Sequence, residues 1–313
     1  MGQMTTRAFV FPGQGAQAIG MGRALAQTSP AARAVFQEVD AALGEPLSSL
    51  IWEGEAETLT LTANAQPALM ATSIAALRAL EERAGGALTP ACVAGHSLGE
   101  YSALCAAGAL GLADAARLLR LRGRAMQDAV PVGVGAMAAL LGLDLAAAEA
   151  VAAEAAQGQV CQAANDNDPA QVVISGHRAA VERALEIARA HGAKRAMLLP
   201  VSAPFHCALM QPAADAMAEA LACVEIKAPR VPLVANVTAG PVSEPAEIRR
   251  LLVEQVTGQV RWRESVQWMV AAGVNEFWEI GAGKALSGMI RRIDKAAVVQ
   301  AIGTPEDVAA ALG

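Results

Sequence analysis

The chain alternates short apolar runs with longer segments whose apolar positions recur every three or four residues. Arg7 to Phe11 reads as a first buried strand, broken by Pro12-Gly13-Gln14-Gly15. Helices are expected over residues 31–43 and 67–83. Residues 91–97 read as a second strand ending in a sharp turn, with helices following over 98–107 and 114–127. Such alternation predicts a doubly wound parallel sheet.

Residues 131–135 look like a boundary, and the pattern then changes. A strand over 136–141, a helix over 144–156 and strands over 160–164 and 171–174 are followed by a helix over 179–190 and a strand over 194–199. That order is βαββαβ, the ferredoxin-like arrangement. Asn165-Asp166-Asn167-Asp168-Pro169 is expected to form its central turn. The larger unit resumes near Val201, with strands over 232–236 and 276–280. The expected fold class is α/β. A parallel-sheet large domain comprises residues 1–130 and 201–313, with a ferredoxin-like unit of residues 131–200 inserted into it.

Composition narrows the chemistry. Of 313 residues, 54% are hydrophobic and only 3% aromatic, so the core must be built from Ala, Leu and Val. The net charge of −6 argues against nucleic acid and against a basic membrane-surface role. No uninterrupted apolar run reaches the ~18 residues of a membrane span, and no signal peptide precedes the first strand. The first six residues formally fit an N-myristoylation pattern, though nothing else points to a membrane. Five scattered cysteines without a C-x-x-C pair indicate free thiols in a reducing compartment, the cytoplasm.

Gly95-His96-Ser97-Leu98-Gly99 is a G-x-S-x-G sequence at a strand-to-helix turn, where a serine hydroxyl is exposed beside helix N–H groups. A second reading competes: Ser97 and Glu100 also spell a capping box, S-x-x-E. A nucleophilic serine needs a base. Of four histidines, His96 sits inside the turn and should point elsewhere, while His177 and His191 look like surface residues. His206, after the rigid Ser202-Ala203-Pro204-Phe205 loop, is the best base. Backbone N–H groups of Leu98 and of the Gly13-Gln14-Gly15 loop can form an oxyanion hole.

That loop also fits G-x-G-x-x-A, but Glu38 and Asp40 fall in a helical stretch rather than closing a strand, which argues against a dinucleotide site. Gly281-Ala282-Gly283-Lys284 lacks the following Ser/Thr of a phosphate loop. In the 114–127 helix, Arg117, Arg120 and Arg124 lie on the polar side, whereas Arg122 falls inside the apolar stripe. A buried guanidinium needs an anion, either a carboxylate of the fold or one on a substrate. Gln255 and Glu254 receive no role from pattern alone.

Several long motifs occur in the order found in the malonyl-CoA:acyl carrier protein transacylases of type II fatty acid synthesis, and the chain resembles them over essentially its whole length. The carriers are residues 11–17, Gln66-Pro67, residues 95–104, residues 122–127, Ala163-Ala164-Asn165, residues 201–210 and Val253-Glu254-Gln255. The resemblance implies a hydrolase-like large domain. It implies Ser97 as acylated nucleophile, His206 as base, Gln14 and Leu98 as oxyanion donors and Arg122 as partner of the malonyl carboxylate. It also implies Gln255 as the residue whose backbone carbonyl orients the histidine, and Asn165 near the acyl pocket. Pro204-Phe205-His206 resembles malonyl-type rather than methylmalonyl-type enzymes.

The implied reaction is ping-pong transfer from malonyl-CoA to holo acyl carrier protein through a malonyl-serine. It involves no metal or redox cofactor and no nucleic-acid or membrane partner, and the chain is expected to act as a monomer. Lys194-Arg195, Arg249-Arg250 and Arg291-Arg292 are candidate docking positions for the acidic carrier. Two other readings stand beside it: a serine hydrolase (esterase or thioesterase) with the same elbow, and a non-catalytic carrier-docking module.

Overall fold

Among the described residues, 6–313 of this computed structural model, ten strands form two sheets. The myristoylation pattern lies, apart from Thr6, outside these residues. The strands are β1 (Arg7–Phe11), β2 (Cys92–Gly95), β3 (Gly135–Leu141), β4 (Cys161–Asp168) and β5 (Gln171–His177). β6 (Arg195–Leu198), β7 (Leu233–Ala235), β8 (Gly240–Val242), β9 (Glu276–Ile280) and β10 (Val298–Ile302) complete the set.

The larger sheet has the order β10-β9-β1-β2-β7-β8. Its first five strands pair in parallel and β8 returns antiparallel to β7. Apart from Arg7, β1 and β2 are apolar because both faces of the sheet are covered, the usual state of parallel strands. Val10 pairs with Ala94 and Phe11 with Gly95, so the loop after β1 and the turn after β2 emerge side by side. Ligands of open α/β sheets bind at such carboxyl ends.

The second sheet is antiparallel, with the order β4-β5-β3-β6. Helices Leu145–Ala156 and Arg178–Ala190 complete a βαββαβ sequence of elements. It has its own core, which includes Leu140, Val151, Val172, Ile174 and Val181.

Three expectations need correction. Residues 165–168 are not a turn but the second half of β4, and all four are buried. Their polar side chains tolerate this because the larger unit supplies partners. Asp166 pairs with Arg263 at 2.8 Å, Asp168 with Arg292 at 2.7 Å, and Asn167 Oδ1 meets His96 Nε2 at 2.8 Å. Backbone bonds from Asp166 N–H to Val260 C=O and from Val260 N–H to Ala164 C=O stitch the same strand to the larger unit.

The helix expected from Pro67 starts earlier, spanning Thr62–Ala84, with Pro67 inside it. Proline has no N–H, so the Ala63 carbonyl one turn back loses its helical donor. Arg120 Nη1 supplies the replacement at 2.9 Å. That explains the third correction: Arg120 is buried rather than solvent-facing, and it also holds Asn64 and Glu45. The short β8, β10 and the five α-helices following the His206 loop, including Pro245–Thr257, are not among the elements expected above.

Candidate active site

The turn after β2 is shaped by its glycines. A Cβ on Gly95 would lie 2.0 Å from the backbone of Gly99, and one on Gly99 would lie 2.3 Å from the Phe11 carbonyl oxygen. Strand, turn and helix can therefore meet this closely only without side chains. Between them Ser97 takes a left-handed φ of 53°, a strained conformation for serine. Asn236, at the end of β7, holds the turn in place. Its Oδ1 accepts the Ser97 N–H at 2.8 Å and its Nδ2 donates to the Gly95 carbonyl at 2.6 Å. We expect Gly95→Ala to cost at least ~1–3 kcal/mol by overpacking and to slow acylation of Ser97. Denaturant unfolding and active-site titration measure both, and native values for each would contradict the packing account.

No capping box forms. The Gly99–Ala106 helix has no side-chain cap, and the Ser97 hydroxyl faces His206 instead. The Ser97 Oγ to His206 Nε2 distance is 2.7 Å across 109 positions of sequence. His206 Nδ1 lies 2.9 Å from the Gln255 carbonyl and 3.2 Å from the Gly258 carbonyl. Carbonyls only accept, so Nδ1 carries the proton and the Nε2 lone pair faces the serine. Burial, then the Arg122 charge, push His206 down to about 3, which keeps the imidazole neutral. No acid is needed to orient this histidine, because two carbonyls do so.

Arg122 is 1% exposed. Its Nη1 donates to Gln66 Oε1 at 2.8 Å, and its Nη2 donates to Gln255 Oε1 at 2.7 Å and to Ser97 Oγ at 3.2 Å. Among the described residues no carboxylate touches it, and its Nε has no partner. Of the two anions the sequence allowed, the one belonging to the fold is not in contact.

These groups line a cavity of about 390 Å³. Gln14, Ser97, Leu98, Arg122 and His206 form its polar end, with Asn165 also in the wall. Met126, Met137, Leu199, Val201 and Phe205 provide an apolar passage. The backbone N–H groups of Gln14 and Leu98 donate no hydrogen bond among the described residues, leaving both for a ligand. The Gln14 side chain is held away on Thr62 Oγ1 at 3.2 Å.

Ser97, His206, Gln14, Leu98, Arg122 and Asn165 therefore reach one cavity, and Gln255 contacts it through Arg122 and His206. His96 also lines it, its ring turned to Asn167. Pattern reading missed Asn236, and gave Gln66 no role. A polar residue closing an apolar strand, and one buried on an otherwise apolar helix face, were the available signals.

Among the basic pairs, Lys194 and Arg195 are exposed at the start of the edge strand β6. Arg250 is paired with Glu247 and Glu254, and Arg292 with Asp168. No helix among the described residues is long and apolar enough to cross a membrane.

A family profile described as an acyl transferase domain matches residues 8–303. The malonyl CoA-acyl carrier protein transacylase of Bacillus subtilis is 49% identical over 310 residues, covering 99% of this chain and 97% of that protein. A crystal structure of an acyl-carrier-protein-S-malonyltransferase from Bartonella henselae superposes with a TM-score of 0.95 at 58% identity, covering 98% of each chain. A further solved structure holds a type II polyketide acyl carrier protein in complex with its malonyl-transacylase. The transacylase matches at 43% identity and a TM-score of 0.95, over 98% of this chain and 99% of its own.

Proposed function

The chain belongs to the acyl transferase domain family, and we infer that it moves a malonyl group from malonyl-CoA to the phosphopantetheine thiol of an acyl carrier protein. Arg122 carries the choice of acyl group. It is a fully buried cation, held by two amide oxygens and touching the serine hydroxyl, with no carboxylate of its own. A substrate carboxylate arriving beside Ser97 supplies the missing anion, in the planar geometry that guanidinium pairs with best.

The reaction follows from the same contacts. Ser97 Oγ attacks the thioester carbonyl as its proton passes to His206 Nε2. The carbonyl oxygen becomes an oxyanion, received by the free N–H groups of Leu98 and Gln14, each worth about 2.7–4 kcal/mol. As the carbon–sulfur bond breaks, His206 returns the proton to the CoA sulfur and malonyl remains on Ser97. The carrier thiol then repeats these steps in reverse order. Both halves are acyl transfers with one proton exchanged, so no metal or redox cofactor enters. Asn165 belongs to the wall of the acyl pocket in this reading, and the passage lined by Met137, Leu199 and Phe205 suits a pantetheine arm. We place the reaction in a reducing cytoplasm, in keeping with five free cysteines, and treat the chain as a monomer made of a catalytic domain with a small domain inserted at residues 131–200.

Mass spectrometry of the protein with malonyl-CoA and holo carrier protein tests this. The expected products are malonylated carrier, and malonyl-Ser97 when the carrier is omitted. Free malonate without malonylated carrier would instead establish a hydrolase, the other chemistry open to an elbow serine.

A further inference from the structure

The reaction gives no role to a buried carboxyl that reaches into the site's hydrogen-bond network. Glu100, on the first turn of the Gly99–Ala106 helix, is 1% exposed. Its oxygens accept from the Asn236 backbone N–H at 3.3 Å and from the Gln255 side-chain amide. The same Gln255 nitrogen donates to the Ser97 carbonyl at 2.9 Å, and the opposite end of that amide, Oε1, accepts from Arg122.

An amide has one donor end and one acceptor end, whereas a carboxylate only accepts. Glu100 and the Ser97 carbonyl, both acceptors only, therefore share in setting which way Gln255 points: nitrogen towards themselves, oxygen towards the guanidinium. Reversed, the amide would aim N–H groups at Arg122, two donors facing each other out of water, and the guanidinium would lose one of its three acceptors. Glu100 is also the carboxyl whose charge acts on Arg122 across this bridge.

We propose that Glu100 is a positioning residue for malonyl recognition: through the Gln255 amide it holds the Arg122 guanidinium in the orientation that receives the substrate carboxylate. The proposal rests on the malonyl-transfer reading of the site.

A pH dependence follows. Burial pushes the Glu100 carboxyl up to about 7, against the lowering effect of Gln255, Asn236 and Arg122. Once protonated it donates as well as accepts, so the Gln255 nitrogen keeps the Ser97 carbonyl but loses its charged acceptor, and the amide is held less firmly against Arg122. Malonyl recognition should weaken as pH falls through about 7. The other charged or titratable groups around it are Arg122, from the Leu112–Asp128 helix, and Tyr101 on its own helix. Tyr101 is pushed up to about 12 and His206, beyond Arg122, down to about 3, so neither changes charge in that range.

The test compares wild type with Glu100→Gln and Glu100→Asp by two measurements across pH. One is KM and kcat for malonyl transfer to holo carrier protein. The other is labelling of Ser97 by a neutral fluorophosphonate, which needs the serine and histidine but no carboxylate site. For Glu100→Gln we expect the malonyl KM to rise about tenfold or more, kcat and labelling to stay within about threefold, and the rise of KM at low pH to disappear. Glu100→Asp should restore part of the difference.

Three results would overturn the proposal. Glu100→Gln could keep the wild-type KM and its pH dependence. Transfer and labelling could fall together in both variants, as a merely structural carboxyl requires. Or a folded Glu100→Gln could lose labelling while keeping its malonyl KM. If wild type itself fails to malonylate the carrier, the malonyl-transfer reading fails first, a distinct result that removes the proposal with it.

Discussion

Ser97→Ala is expected to lose malonyl transfer by on the order of 10⁴-fold or more, and no malonyl adduct should be detectable on the protein. The reason is that the hydroxyl sits 2.7 Å from its base, on a turn that exists to present it. His206→Ala should cost nearly as much, and the double variant little more than either alone. Nucleophile and base act as one unit, so their effects do not add. Active-site labelling together with steady-state transfer to carrier protein measures this. Two single losses that multiplied in the double variant would mean that Ser97 and His206 serve separate steps. A Ser97→Ala enzyme that still transferred malonyl would place the nucleophile elsewhere.

Arg122→Ala should separate charged from uncharged acyl groups. Loss of one partner of a buried charge pair costs about 3–5 kcal/mol, or roughly 10²–10⁴-fold in malonyl kcat/KM. Acetyl transfer should persist, because the serine, histidine and oxyanion donors remain. A second effect follows from His206. The Arg122 cation is one of the groups that push this histidine down to about 3. Catalysis needs the neutral imidazole, so activity is retained above the histidine's pKa and lost as pH falls through it. Removing the cation raises that pKa, and the acid limb of acetyl transfer should move to higher pH. Competition between acetyl-CoA and malonyl-CoA, followed across pH, reads both effects. Unchanged malonyl preference would remove Arg122 from acyl recognition, and an unmoved acid limb would remove its charge from the environment of His206.

These expectations concern groups that sequence could find and contacts between them that it could not. Ser97 was legible because G-x-S-x-G after a strand has few other uses. Arg122 stood out because a charge in an apolar helical stripe breaks the period. His206 was the best of four histidines only once the serine was accepted as a nucleophile. Arg120, expected with Arg117 and Arg124 on the polar side of its helix, is buried instead because Pro67 frees the Ala63 carbonyl on another helix. The Asn, Asp and Pro content of residues 165–169 reads as a turn, but residues 165–168 lie in β4. Their actual partners, His96, Arg263 and Arg292, lie 71, 97 and 124 positions away.

By itself the sequence determined what is local or periodic. It placed eight of the ten strands, six of the helices, the βαββαβ order and the chemical types of the candidate groups, because each is written in residues a few positions apart. Tertiary structure decided what depends on pairing between distant segments. It turned the Ser97 hydroxyl to His206 rather than into a helix cap, because only the fold brings the two together. It showed why the histidine needs no acid, since two backbone carbonyls hold its ring. It also left Arg122 facing amide oxygens rather than a carboxylate of the fold. Whether a buried charge is satisfied from within or awaits a substrate is a question of which acceptors surround it, and no spacing along one chain contains that answer.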